Sequence, residues 1–234
     1  MILLGRCRGL NDPCSEFAEP GRGGSRDGKD VGSQLLCHFS GSYRGSGGAR
    51  ARGDQQKISA RDGRRRDFAN VKAAYPDKLV FADMKTMDAG ELEADLAFKA
   101  GADIMTVLAS AGDSTIAGAV KAGKAHGKAV VADMIGVTDK PKRLKELKEL
   151  GVSWVELHAG LDEQAEAGYS IETLLQAGKN ADVAFSVAGG INAERIGQVE
   201  AAGATIAVAG AAIYGAKDPA EAAKALRAKI QKLG

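Results

Sequence analysis

Residues 103–133 read DIMTVLASAGDSTIAGAVKAGKAHGKAVVAD, a pattern that recurs along most of the chain. The stretch begins with the apolar run Asp103–Leu108, continues through the Ala-rich helix candidate Ser114–His126 and ends in a second apolar run, Ala129–Asp133. Gly127 follows the helix candidate at the position that favours left-handed backbone. A strand, a helix and a second strand of this length form a βαβ unit with parallel strands.

The same alternation extends outward from this unit, from about Val71 toward the C-terminus. Six βα units at near-constant spacing, without a dinucleotide-binding glycine motif, favour a (β/α)₈ TIM barrel over a doubly wound sheet. Gly101, Gly151 and Gly203 are predicted to end helices as Gly127 does. The remaining strand candidates are Leu79–Asp83, Trp154–His158, Ala184–Ala188 and Thr205–Ala209, and the remaining helix candidates are Glu91–Ala100, Lys140–Leu150, Ile171–Ala177, Ala193–Ala201 and Pro219–Leu233.

The first 66 residues have a different composition. They contain 11 of the 14 arginines, 13 of the 31 glycines and all three cysteines, with 13 Lys+Arg against 7 Asp+Glu. Only Met1–Leu4 and Gln34–Phe39 resemble strands there, so the first two barrel strands are not recognisable. Because so little apolar material does not offset the entropy of ordering, we expect much of this segment to be disordered or poorly packed. The predicted division is residues 1–66 as a non-barrel segment and residues 67–234 as the barrel.

Three functions for this N-terminal segment are disfavoured. Its arginines are scattered among acids with few aromatic residues, which argues against nucleic-acid binding. A transit peptide would be poor in acidic residues. Cys7, Cys14 and Cys37 lack the close spacing and the clustered histidines of a zinc site.

The composition of the whole chain limits its class. It has 234 residues, of which 44% are hydrophobic, 26% charged and 5% aromatic, as in one soluble α/β domain. No apolar run is long enough to span a membrane, and no secretory signal begins the chain, so we expect a cytoplasmic protein without a membrane or nucleic-acid partner. The net charge of +2 combines a basic N-terminal segment with an acidic barrel segment, which contains 19 Lys+Arg and 23 Asp+Glu.

Polar residues at the carboxyl ends of barrel strands are the candidates for catalysis. Asp83, Asp133 and His158 occupy such ends, and Lys85 projects to the same side as Asp83 by the two-residue period of a strand. Asp83 and Lys85 could form a charged clamp for a divalent ion and an enediolate oxygen, or a structural salt bridge. His158 suits proton abstraction next to a carbonyl, with an inert buried histidine as the alternative. Asp88 is either part of this site or the cap of the following helix.

Small residues follow the last two strands of the predicted barrel. Ala188-Gly189-Gly190 and Ala209-Gly210-Ala211 lie where TIM barrels commonly bind phosphate through backbone N–H groups. Because close backbone approach requires small residues, the pair of turns predicts a phosphate site.

Three motifs taken together resemble one enzyme family. They are Phe81-Ala-Asp83-Met-Lys85-Thr-Met-Asp88, the run from Glu156 to Gln164 reading ELHAGLDEQ, and Ser186-Val-Ala-Gly189-Gly190. Their order and strand positions resemble the 3-hexulose-6-phosphate synthase family, which lies with the 3-keto-L-gulonate-6-phosphate decarboxylase group in the orotidine-5′-phosphate decarboxylase superfamily. The resemblance covers about Val71 to Ile230.

The resemblance implies a carbon–carbon lyase of the aldehyde-lyase class, a cytoplasmic homodimer of formaldehyde assimilation in the ribulose monophosphate pathway. Its reaction is the Mg²⁺-dependent aldol condensation of formaldehyde with ribulose 5-phosphate through a 1,2-enediolate; Mn²⁺ suits the same ligands. Carried over, Asp83 binds the metal, Lys85 contacts the enediolate and His158 moves the C1 proton. Asp88 reaches the neighbouring subunit's site and Asp133 lies near the substrate hydroxyls. The phosphate-binding amides come from Gly189, Gly190, Gly210 and Ala211.

Two alternatives to this activity remain open at the level of sequence. One is 3-keto-L-gulonate-6-phosphate decarboxylase or another superfamily decarboxylase, although decarboxylases of that type carry arginines where this chain has Ala159 and Ala211. The other is a catalytically inactive remnant, because relatives begin with a strand ending in Asp and a second carrying a metal-binding Glu. Neither strand is recognisable before Val71, so the second metal ligand is not identified.

The abrupt start of family-like sequence suggests a reading-frame error. We hypothesise that residues 1–66 come from translation in a wrong frame or from a misplaced gene start. The Arg-Gly-Ser-Cys composition and the missing periodicity motivate this hypothesis. Translation of the gene in its other two frames tests it, since one frame must then encode the missing Asp and Glu strands.

Overall fold

The chain forms a closed barrel of eight strands in sequence order. The structure is a computed structural model that describes strands Ile2–Gly5 and Leu36–Ser40 as backbone, and residues 68–74, 76 and 79–230. The expectations about the rest of residues 1–66, including disorder, a frameshift and the cysteines, lie outside the described residues. No helix of the described part is long and apolar enough to cross a membrane.

Six parallel strands alternate with helices, as the sequence predicts for a (β/α)₈ barrel. The strands are β3 (Val80–Thr86), β4 (Ile104–Leu108), β5 (Ala129–Asp133), β6 (Trp154–His158), β7 (Phe185–Ala188) and β8 (Ile206–Ala209). The helices are α1 (68–74), α2 (Gly90–Lys99), α3 (Asp113–His126), α4 (Lys140–Leu150), α5 (Leu161–Ala165), α6 (Ile171–Lys179), α7 (Ile196–Ala201), α8 (Ala211–Tyr214) and α9 (Pro219–Lys229). The short helices α5 and α8 have no counterpart among the predicted elements.

The first two strands close the ring in a way that the repeat did not predict. β1 (Ile2–Gly5) pairs antiparallel with both β8 and β2 (Leu36–Ser40), whereas β2 pairs parallel with β3. These strands overlap the two apolar runs that the sequence indicated in the first 66 residues. Their pairing covers the backbone N–H and C=O groups that the edges of β3 and β8 would otherwise expose.

The barrel interior follows the two-residue period of its strands. Alternate residues such as Phe81, Val131, Trp154 and Val208 pack into one buried apolar cluster inside the ring. The other face of the strands packs against the helices in a second, larger cluster. The four glycines predicted to end helices all have positive φ, from 60° at Gly127 to 96° at Gly101, which confirms their assignment.

An ion-pair network fastens the amino end of the barrel. Asp103, only 4% exposed, precedes β4 and accepts hydrogen bonds from Lys72 Nζ at 2.9 Å, Lys128 Nζ at 2.6 Å and the Val80 backbone N–H at 2.9 Å. Burial opposes its ionisation, but the donors from Lys128, Val80 and Lys72 outweigh burial and lower the pKa of the carboxyl. Asp103 thereby ties α1 to the starts of β3, β4 and β5.

Asp103→Asn is expected to lower the free energy of unfolding by about 2 kcal/mol at pH 7, since charge-assisted hydrogen bonds to a buried acceptor are lost. A depressed folded pKa stabilises the fold above the unfolded value of about 3.9, and this stabilisation disappears as pH falls through the folded pKa. The difference between variant and wild type should therefore shrink in acid, as measured by urea unfolding at several pH values. Asp182→Asn removes an exposed partner of Lys148 and should change stability little. An equal loss in both variants would contradict this role for Asp103.

Candidate active site

Near the carboxyl ends of the strands, the barrel interior changes from apolar to polar. A layer of buried polar side chains continues the inward-facing positions, and its members are Asp83, Thr106, Asp133, Glu156 and Ser186. Buried polar groups are costly unless they are paired, so a whole layer of them marks a site rather than a core. His158 lies at the mouth of the barrel above this layer, at the end of β6.

Asp83 and Lys85 meet across an irregular part of β3. The register with β4 shifts between Ala82 and Thr86, and Lys85 has φ 46°, which is rare for a residue other than glycine. Lys85 Nζ lies 3.0 Å from Asp83 Oδ1. The sequence predicted that these side chains share one side, and a bulge rather than a regular strand brings them together.

A threonine that the sequence did not indicate supports this bulge. Thr106 Oγ1 donates to Asp83 Oδ1 at 2.9 Å and accepts from the Lys85 backbone N–H at 3.0 Å. Thr106 is fully buried on β4. Its hydroxyl therefore holds both the carboxylate and the strained backbone of the Asp83–Lys85 pair.

Asp133 is the centre of the site. Its Oδ2 lies 2.5 Å from Lys85 Nζ and 3.0 Å from His158 Nδ1, and its Oδ1 accepts from the Ile135 backbone N–H at 2.9 Å. The sequence placed Asp133 near the substrate hydroxyls. The structure brings the side chains of Asp83, Lys85, Asp133 and His158 into one connected chain of contacts, and the role of Asp133 beside the substrate stays a prediction.

Opposing effects set the charges in this chain of contacts. Burial disfavours the ammonium of Lys85, but Asp133 and Asp83 outweigh it and raise the pKa of Lys85 above its ordinary value. Burial also disfavours ionised Asp133, yet the hydrogen bond from His158 and the charge of Lys85 lower the pKa of this carboxyl. A lysine ammonium and an aspartate carboxylate therefore face each other at the bottom of the mouth.

Glu156 is a site residue that the sequence analysis did not select. Its side chain is 1% exposed, with Oε2 3.8 Å from His158 Nδ1 and Oε1 3.5 Å from Ser186 Oγ. Burial, together with the negative charges of Asp133 and Asp83, raises the pKa of the Glu156 carboxyl well above its ordinary value. Its inward position, two residues before His158 on β6, was the signal in the sequence that could have identified it.

The donor set of this layer suits a divalent cation. One ligand atom from each of Asp133, Glu156 and His158 lies within 4.8 Å of the other two. Asp83, the predicted metal ligand, is outside this trio but shares the Lys85 ammonium with Asp133. Lys85 pairs with two of the three buried carboxyls of this layer, so a further cation would balance charge here, and carboxylate oxygens are the ligands that Mg²⁺ prefers.

The small residues after β7 and β8 lie beside this cluster, and Gly189, Gly190, Gly210 and Ala211 together are called the glycine floor. Ala188 pairs with Val208, so the two turns are neighbours. Gly189 has φ 108°, and a Cβ there would lie 2.5 Å from the backbone oxygen of Ala159, which explains the glycine. Gly190 also has positive φ, and Gly210 precedes α8, which begins at Ala211. The predicted phosphate-binding residues are therefore brought together.

Within the described part of the chain, Asp88 is the one predicted catalytic residue that makes no hydrogen bond or ion pair with the cluster. It is exposed in the turn between β3 and α2. It does not cap α2 either, because the N-cap is Ala89 and no side chain accepts a hydrogen bond there. Exposed apolar side chains flank it, with Met87 57% and Leu92 50% exposed.

The fold and this site together define the family. A family model described as "Orotidine 5'-phosphate decarboxylase / HUMPS family" matches residues 60–226. The chain belongs to this family, whose relatives are named as enzymes.

Individual relatives narrow the similarity further. The chain is 66% identical over 160 residues to a protein from Mycobacterium gastri named 3-hexulose-6-phosphate synthase, covering 68% of this chain and 77% of that one. A crystal structure of 3-hexulose-6-phosphate synthase matches with 63% identity and a TM-score of 0.70, over 71% of this chain and 80% of the other. The 3-keto-L-gulonate-6-phosphate decarboxylase of Vibrio cholerae matches with 28% identity and a TM-score of 0.64, over 76% and 83%. The resemblance inferred from the three motifs is thus confirmed.

Proposed function

We propose that the chain catalyses the aldol condensation of formaldehyde with ribulose 5-phosphate, as an aldehyde-lyase of formaldehyde assimilation. The observation that carries this proposal is the contact chain Lys85–Asp133–His158, in a protein 66% identical to a relative with that name. These contacts support the proposal because they would supply a cation and a base to one substrate, and Ala159 and Ala211 stand where the related decarboxylases carry arginines.

The first step is removal of a proton from C1 of ribulose 5-phosphate. Asp133 engages Nδ1 of His158, which orients the ring and leaves Nε2 to take this proton. The electron pair moves into the C1–C2 bond and the C2 oxygen becomes negative, which gives the 1,2-enediolate. Lys85 Nζ donates two of its three hydrogens to Asp83 and Asp133, and the third is left to donate to this oxygen and stabilise its charge.

The second step forms the new carbon–carbon bond. C1 of the enediolate attacks the formaldehyde carbon, the C2 carbonyl is restored and the formaldehyde oxygen takes up a proton from the protonated His158. The product is arabino-hex-3-ulose 6-phosphate, and no atom is lost. His158 acts first as base and then as acid, so it ends each cycle as it began.

Mg²⁺ is part of the proposal, with Mn²⁺ as a substitute. Asp83, Asp133 and Glu156 would hold it, because the strand β2, which carries a metal-binding Glu in the relatives, contains no carboxylate here. Bound there, the metal would stabilise negative charge that develops on the substrate oxygens. His158 is left for proton transfer because Mg²⁺ prefers oxygen ligands.

A homodimer is the proposed assembly. Asp88 is exposed, as are the neighbouring apolar side chains Met87 and Leu92, and exposed apolar side chains around an acid suit a contact with a second copy of this chain. Across such a contact, Asp88 would reach the neighbouring subunit's site.

Purified chain should consume formaldehyde only when ribulose 5-phosphate and Mg²⁺ or Mn²⁺ are both present. Treatment with EDTA should abolish the reaction, and added Mg²⁺ should restore it, since the buried carboxyls require the cation. Formaldehyde consumption is followed by colorimetry, and release of CO₂ from 3-keto-L-gulonate 6-phosphate is measured in parallel. Faster decarboxylation than condensation would favour the decarboxylase activity, and folded protein without either reaction would indicate an inactive remnant.

A further inference from the structure

Arg195 stands beside the glycine floor. It lies in the turn after β7, immediately before α7, and its side chain is half-buried. Nη1 donates to the Gly190 backbone oxygen at 3.2 Å and lies 2.8 Å from the point that a Cβ of Gly190 would occupy. The guanidinium therefore occupies part of the space that a side chain at position 190 would need.

Most donors of this guanidinium are not used within the protein. Among the described residues, the backbone oxygen of Gly190 is the one acceptor that the Arg195 side chain binds. No described carboxylate oxygen lies within 4 Å of the Arg195 guanidinium. Arg143 provides the contrast, since it donates to the Ala109 and Ala111 oxygens, Asp113 and Glu146. A guanidinium carries five N–H donors, and Arg143 makes four such bonds whereas Arg195 makes one, so Arg195 has donors to offer to an anion.

Gln164 also lies against these two glycines. Its Oε1 lies 3.0 Å from the Cβ position of Gly190 and its Nε2 lies 3.1 Å from that of Gly189. Nε2 donates to the Ala159 oxygen at 2.8 Å, which fixes the amide in place. The Cβ side of Gly190 is thus filled by an amide and a guanidinium, and the Cβ side of Gly189 by the same amide and Ala159.

A cation beside Gly189 and Gly190 would strengthen the binding of a phosphorylated substrate. Asp83, Asp133 and Glu156 line one part of the mouth, and the Lys85 ammonium is already shared between Asp83 and Asp133. A phosphate monoester carries nearly two negative charges at neutral pH. Neutral backbone amides would hold this charge more weakly than amides assisted by a guanidinium.

We propose that Arg195 binds the phosphate group of the substrate and determines the preference for a phosphorylated over an unphosphorylated ketose. This inference rests on the proposed function for the identity of the sugar. The phosphate lies over Gly189 and Gly190. The Arg195 guanidinium binds it from the side away from the carboxyl groups of the polar layer. Arg195 takes no part in proton transfer.

Calorimetric binding and steady-state kinetics of Arg195→Gln test the proposal. We expect the Kd for ribulose 5-phosphate to rise about 10- to 100-fold and KM to rise with it, while kcat stays within about threefold, because a contact equal in ground and transition states is lost. Binding of unphosphorylated ribulose should not change. Arg195→Lys should be intermediate, since a lysine keeps the charge without the fork of donors.

Arg227→Gln is the matched control, because it removes the same charge from α9 and should leave the Kd unchanged. If Arg195 only braces the Gly190 oxygen, Arg195→Gln will lower the melting temperature with the wild-type Kd, which would overturn the proposal. Inorganic phosphate is used as a second probe. If wild-type protein binds inorganic phosphate through Arg195 but does not bind ribulose 5-phosphate, the proposed function fails and the phosphate site stands.

Discussion

His158→Gln is expected to abolish exchange of the C1 proton of ribulose 5-phosphate with solvent. His158 Nδ1 contacts both oxygens of Asp133 at 3.2 and 3.0 Å, so the ring is oriented and Nε2 is the nitrogen left to act as a base. Positioned bases typically contribute 10²- to 10⁴-fold to a rate, and glutamine keeps a similar size without accepting a proton. The exchange is measured by NMR in D₂O without formaldehyde, which isolates the first step from carbon–carbon bond formation.

His126→Gln is the control for this experiment. His126 ends α3 and contacts Asp95 at 2.8 Å, outside the polar layer of the barrel, so its replacement should leave the exchange rate unchanged. Equal Kd values for ribulose 5-phosphate in wild type and His158→Gln would show that binding is intact. Exchange at the wild-type rate in His158→Gln would contradict the role of His158 as the base.

Mixing two inactive variants, Lys85→Met and Asp88→Asn, is expected to restore about a quarter of the wild-type rate. If Asp88 completes the partner subunit's site, each hybrid dimer has one site with both residues intact and one with both replaced. Random exchange makes half of the dimers hybrid, and half of their sites work. Lys85→Met alone should lose at least about 10³-fold, because the cation that faces Asp83, Asp133 and the enediolate oxygen is gone.

A second mixture controls for assembly. Lys85 and His158 both contact Asp133 of the same chain, so hybrids of Lys85→Met with His158→Gln have no intact site and should remain inactive. The melting temperature of each variant is measured first, since Lys85→Met leaves buried carboxylates without their ammonium. A monomer in solution, or no recovery in the first mixture, would contradict the proposed dimer and the place of Asp88 in it.

The fold was largely predictable from local patterns. Short apolar runs, Ala-rich helical segments and glycines after helices recur through residues 79–230, and β5 and β6 have the predicted bounds. These features depend on neighbours in sequence, such as the left-handed backbone at Gly127 and Gly151. The direction of β1 was not predictable, because strand pairing between Ile2–Gly5 and β8 joins residues about two hundred positions apart.

The candidate site was predictable in part. Strand-end position was enough to select Asp83, Lys85, Asp133 and His158, because parallel strands bring their carboxyl ends to one side. Glu156 was not selected because it lies two residues before the strand end at His158, at a depth in the barrel where an apolar residue is usual. Asp88 was open between a catalytic and a capping role, and the structure excludes the cap without testing the other role.

The amino-acid sequence alone was sufficient for the βα repeat, the strand-end candidates and the family, because each depends on local periodicity or short motifs. Only the folded barrel shows that β3 bulges at Lys85 and that Asp133 contacts both Lys85 and His158. It also shows that Arg195 lies beside Gly190 with N–H donors that no described acceptor uses. These properties arise from burial and from distances between separate strands. Their physical cause is the low dielectric of the closed interior, in which a charge must be paired by whatever the neighbouring strands supply.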